Sequence, residues 1–160
     1  MTRYLKFLLA GLIGLAVWTG ATAAETGSAK QKVVYHINGD DPKQQVGALR
    51  NIQNHINAVG KDNLDLRVVM HGNGLSLVLL PDALKHTKGF KNANADAQQQ
   101  AAIDNLKIQG VQFKVCANTV KGRMVNASED LYDFSEADIV PSGVAELAIL
   151  QSQGFAYIKP

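Results

Sequence analysis

A single cysteine stands in this chain of 160 residues, so no disulfide can form within one copy. Exported proteins commonly carry paired cysteines, which leaves Cys116 as a buried spectator, an intermolecular link, a metal ligand or a reactive thiol. No run of lysine or arginine occurs, and with it goes the electrostatic footprint for nucleic acid or for an anionic membrane surface. The four histidines are scattered, without the close spacing that brings metal ligands together. The residues therefore point to no cofactor. No apolar run reaches the ~20 residues that span a bilayer as a helix.

Residues 1–24 have the order of a secretory signal: Arg3 and Lys6, the apolar run 7–18, then Ala21-Thr22-Ala23-Ala24, with cleavage after Ala23 or Ala24. An uncleaved anchor is the competing reading, and the short apolar run with its small-residue site disfavours it. Once Arg3 and Lys6 leave, the 14 acidic residues face an equal number of basic ones, so the formal charge of +2 vanishes. Residues 25–31 read as a flexible leader. The remaining 32–160 suit one domain with one core.

Strands and helices alternate along that domain. Residues 32–38 form a nearly continuous apolar strand, as in a parallel sheet covered on both faces. Asp41-Pro42 starts a helix, Val46, Leu49, Ile52, Ile56 and Val59 make its apolar stripe, and Gly60 stops it. A second strand, 64–71, runs into His71-Gly72-Asn73-Gly74, and 75–80 reads as a short helix ending at Pro81. The polar stretch 81–94 reads as an exposed, mobile segment. Good helix formers fill 95–109 before Gly110. Val111, Phe113 and Val115 then alternate along a strand that delivers Cys116 to a loop.

Beyond it, 127–134 reads as a helix, and Asn126-Ala127-Ser128 matches a glycosylation acceptor that means something only in a eukaryotic secretory pathway. Residues 138–140 form a brief strand. Residues 144–150 form a helix apolar on most sides and hence buried, and 155–158 a last strand.

This alternation argues for an α/β layer fold with a largely parallel sheet, whose ligands bind beyond the C-terminal ends of the strands. The polar residues fall there: Asn38 and Asp40, His71 and Asn73, Cys116 and Asn118, and Ser142. A helical turn near Asn118 would favour an exposed Cys116 thiolate, with Lys114, Lys121 and Arg123 adding to the field. His71 would tune the thiol or bind a polar ligand; His36, inside a strand, is the lesser candidate. A thiolate can take a sulfane sulfur and carry it as a persulfide without a second cysteine.

The stretch G-V-x-F-x-V-C-A-N-T at 110–119, the block V-P-S-G-V-A-E-L from Val140, the closing G-F-A-Y-I-K-P and the His71-Gly72 turn together resemble the DsrE/DsrF-like proteins. The resemblance implies a three-layer α/β/α fold with a mainly parallel five-stranded sheet, homo-oligomers, and sulfur transfer through a cysteine at the position of Cys116. Relatives in sulfur relay are typically cytoplasmic, whereas this leader implies export, in a bacterium to the periplasm, with no stable membrane association after cleavage. Three readings follow: a persulfide carrier or sulfurtransferase with a donor or acceptor protein, an oligomeric module binding a small ligand or protein at the same rim, and a metal-binding protein.

Overall fold

The computed structural model describes residues 29–160. The signal reading of 1–24 and most of the leader lie outside the described residues. Five parallel strands form one sheet, β1 (Gln31–Ile37), β2 (Leu64–Met70), β3 (Gln112–Cys116), β4 (Ile139–Val140) and β5 (Ala156–Ile158), in the order β4-β3-β2-β1-β5. Gln31, assigned above to the leader, is already in β1. Ile37 lies opposite Met70, Met70 opposite Val115, and Cys116 opposite Val140. Because every pair is parallel, all the strands present their C-terminal ends at one edge.

Side chains alternate between the two faces of a strand, and the two faces here are covered unequally. On one face Val33, Tyr35, Ile37, Leu66, Val68, Met70, Phe113 and Val115 pack beneath helices α1 (Pro42–Val59) and α2 (Ala97–Ile108). Asp41 caps α1 by accepting the Gln44 N–H at 2.9 Å, and Gly60, with φ of 87°, ends it. Leu49, Ile52 and Ile56 face inward as the stripe requires, whereas Val46 is exposed and Gln45 is buried in its stead. The Gln45 amide donates to the Gly39 carbonyl at 2.8 Å and the Ser76 hydroxyl at 2.9 Å. Those bonds make a polar residue affordable in the interior and rotate the buried face towards it.

The segment 81–94 is strapped down, contrary to the mobile loop its composition suggests. A 3₁₀ turn, Pro81–Lys85, buries Ala83, and Phe90 and Ala93 pack on the core. The Asn92 and Asn94 amides donate to the Asp40 carbonyl at 3.1 and 3.2 Å, and the Arg123 guanidinium lies 4.4 Å from the Phe90 ring. Polar residues here bond inward rather than to water. The short helix expected at 75–80 is a 3₁₀ turn that begins earlier, Gly72–Leu77, and the helix at 127–134 shortens to α4 (Ala127–Asp130) because Leu131 pairs with Leu79.

The other face carries one helix, α5 (Gly143–Ser152), whose Leu147 and Leu150 pack with Val34, Val69 and Phe155. The expectation that this helix is buried on most sides fails: Val144 is 64% and Ile149 48% exposed. A single helix on a sheet has one side against the strands and the other towards solvent, whatever its composition. No helix among the described residues is long and apolar enough to cross a membrane.

Candidate functional site

Cys116 closes β3, and the backbone turns directly into the short helix α3 (Ala117–Gly122). The first N–H groups of a helix have no partner inside it, and two of them, of Asn118 and Thr119, bond to the sulfur. The Gly143 N–H at the start of α5 and the Thr119 hydroxyl complete the set. Burial pushes the Cys116 thiol pKa up, but these four donors outweigh it and hold the thiol below its ordinary value. Cys116 is only 5% exposed, which corrects the expectation of an exposed thiol. An inert core cysteine sits among methyl groups; this one sits among donors.

The cations proposed to assist the thiolate are engaged elsewhere. Lys114 donates to the Ala137 carbonyl at 2.9 Å and the Asp138 carboxylate at 3.3 Å, and Arg123 donates to Asn73 at 2.6 Å and the Gly89 carbonyl at 2.9 Å. Lys121 is exposed on α3 and is not among the groups acting on the thiol. Local dipoles, not side-chain charges, stabilise the sulfur anion.

The Thr119 hydroxyl oxygen accepts the Gly72 N–H at 2.9 Å, leaving its own hydrogen for the sulfur. This ties the turn after β2 to the cysteine loop and brings His71 alongside. Gly143 lies between them: a Cβ there would meet the His71 Cβ at 3.0 Å and the Cys116 Cβ at 3.2 Å. Ser142 caps α5 by accepting the Ala145 N–H at 3.4 Å, which aims the Gly143 N–H at the sulfur.

A line of aromatic polar groups continues from His71 across the open face. Its Nε2 is 2.7 Å from Nε2 of His36, whose Nδ1 is 2.6 Å from the Tyr157 hydroxyl. Burial, then His71, then the Lys159 ammonium push the His36 pKa down to about 4; burial and Lys159 lower that of His71. Both rings are neutral at pH 7.

Of the residues expected at the rim, the structure brings together Cys116, His71, the Asn118 backbone and, through its neighbour Gly143, Ser142. Three others have different work or lie apart. Asn38 lines a small recess with Gly39, Gln44 and Pro160; the Asp40 carbonyl receives Asn92 and Asn94; and Asn73 receives Arg123. Sequence reasoning passed over Thr119, Gly143, Tyr157 and Lys159 and undervalued His36. One signal was present: a histidine inside an apolar parallel strand needs a polar partner, and here it is met by groups on β5 and after β2. Among the described residues no group of three or more His, Cys, Asp or Glu side chains is placed to hold a metal ion.

Comparison with known proteins agrees with this architecture. A model of the DsrE/DsrF-like family matches residues 31–160, and the chain belongs to that family. The crystal structure of the ychN protein from E. coli superposes with a TM-score of 0.58 at 21% identity, over 81% of this chain and 99% of that one, a likeness of fold. No curated protein matches the chain.

Proposed function

We propose that this protein carries sulfane sulfur as a persulfide on Cys116 and passes it to an acceptor thiol. The observation that carries the reading is the convergence of four hydrogen-bond donors on the chain's one sulfur. Membership of a family associated with sulfur relay supports it. The Cys116 thiolate attacks the terminal sulfur of a donor persulfide; a new S–S bond forms, the donor's S–S bond breaks, and the donor leaves as a thiol after taking one proton. Delivery reverses these roles, with the acceptor thiol losing its proton as its sulfur attacks the outer sulfur of Cys116. Neither step needs an external oxidant or reductant.

The signal pattern of residues 1–24 supports export to a bacterial periplasm, with mature protein starting at Ala24 or Glu25. The exposed apolar residues Val144, Ile149 and Tyr157 support self-association into a homo-oligomer. Recovery of intact Met1 in washed membranes would overturn the first, and light scattering that finds only monomer at micromolar concentration the second.

Intact mass after incubation with polysulfide tests the carrier role. A gain of about 32 Da on Cys116, reversed by a reductant and absent in Cys116→Ser, is expected. A wild-type thiol that alkylates with iodoacetamide but never takes up sulfur would show a binding module instead.

A further inference from the structure

We propose that Tyr157, His36 and His71 form a proton relay that presents the His71 ring to the Cys116 site alternately as an acid and as a base. The proposal rests on Cys116 as a sulfur carrier and adds the route by which protons reach it.

Tyr157 stands on the edge strand β5, 42% exposed, whereas His36 beside it is 8% exposed. Both His36 nitrogens are engaged, at 2.6 Å with the Tyr157 hydroxyl and at 2.7 Å with His71, and the two imidazoles stack with centroids 4.7 Å apart. Two ring nitrogens at that distance need one N–H and one bare lone pair between them. Two arrangements of neutral groups satisfy both contacts.

In the first, Tyr157 donates to His36 Nδ1, His36 Nε2–H donates to His71 Nε2, and His71 carries its hydrogen on Nδ1. In the second, His71 Nε2–H donates to His36 Nε2, His36 Nδ1–H donates to the Tyr157 oxygen, and His71 Nδ1 is bare. The first passes into the second when each link shifts one proton: Nδ1 of His71 releases one at the site, and Tyr157 takes a replacement from water. No ring acquires a charge. That matters because the groups facing the pair, buried surroundings and the Lys159 ammonium, oppose an imidazolium.

Sulfur transfer uses both forms. On loading, the departing donor thiolate takes the Nδ1 proton of the first arrangement. On delivery, the acceptor thiol yields its proton to the bare Nδ1 of the second, and Cys116 leaves as a thiolate into its four donors. The S–S bonds made and broken balance, and the only traffic with solvent is one proton at Tyr157.

The test compares the exported chain with Tyr157→Phe and with His36→Gln, whose amide bonds to both neighbours but cannot pass a proton. Nitrogen NMR of the wild type at pH 7 should show opposite protonation at the two facing Nε2 atoms. Single-turnover delivery from persulfide-loaded Cys116 to free cysteine should slow at least about tenfold in Tyr157→Phe, a modest share of what positioned proton transfer contributes. Iodoacetamide alkylation, which needs only the thiolate, should keep its rate, and His36→Gln should slow delivery likewise if it folds. Identical protonation at both Nε2 atoms, unchanged delivery in Tyr157→Phe, or equal loss of delivery and alkylation would overturn the relay. A wild type that takes up no sulfur refutes the carrier reading instead, and the nitrogen spectra still decide the relay.

Discussion

The two faces of the sheet are built from the same strands and do different work. Beneath α1 and α2 a continuous core runs from Val33 to Phe134, while the face under α5 buries only Val34, Val69, Leu147, Leu150 and Phe155. Arg67 and Lys32 lie over the Phe155 ring on that second face, at 4.7 and 5.7 Å, their charged ends near solvent. The site belongs to the same face, for His36 and Val69 are paired neighbours and α5 supplies Gly143 to the sulfur. The closed face holds the sheet together, and the open face can spend positions on a thiol, two histidines and a tyrosine.

The largest effect is expected where the closed face admits no side chain. In Gly74→Ala a Cβ would stand 2.0 Å from the Ile37 carbonyl oxygen, backbone against backbone. A loss of about 3 kcal/mol or more in urea unfolding is expected. A near-neutral result would show that the turn after β2 floats free of β1.

Truncation of matched core residues sharpens the comparison next. Ile52→Ala on the closed face should cost in the upper half of the range of about 2–5 kcal/mol seen for such changes, and Leu147→Ala on the open face about 2 kcal/mol. Equal losses would erase the distinction between the faces.

Gly143→Ala probes the open face with a smaller change. The added methyl presses on the Cβ atoms of His71 and Cys116 and should cost about 1 kcal/mol. Because it shifts the Gly143 N–H from the sulfur, the thiol pKa should rise and alkylation at pH 7 should slow. Unaltered alkylation would mean that the Gly143 donor contributes nothing.

The last and smallest effect is one of pH. His36 is held at about 4 in the fold against 6.5 for the free side chain, so between these values the unfolded chain binds the extra proton. Its contribution to stability is fully present above pH 6.5 and is lost as the pH falls towards 4. Urea midpoints across that window should fall less steeply in His36→Gln than in the wild type. Parallel curves would assign the acid sensitivity to other groups.

Much of the fold was legible because its signals are local. Asp41-Pro42 and Gly60 bound α1, Gly110 ends the turn after α2, and the alternation of Val111, Phe113 and Val115 leads to a strand that finishes at Cys116. The cysteine and His71 were legible as rim residues for the same reason. Composition misled where burial depends on neighbours: the polar segment 81–94 is strapped to the Asp40 carbonyl and Arg123, and the apolar α5 is half exposed for want of a second layer.

By itself the sequence determined which segments are strands and helices, their order, and the placing of a lone cysteine at a strand end, since periodicity, caps and glycine stops act over a few residues. The tertiary structure decided what surrounds that cysteine. Tyr157 and His36 meet across 121 residues of chain and His36 and His71 across 35. Those meetings follow from strand order and register, which no short-range pattern encodes. The donors from Gly143 and Thr119 likewise exist only once α5 and α3 have docked at the same edge of the sheet.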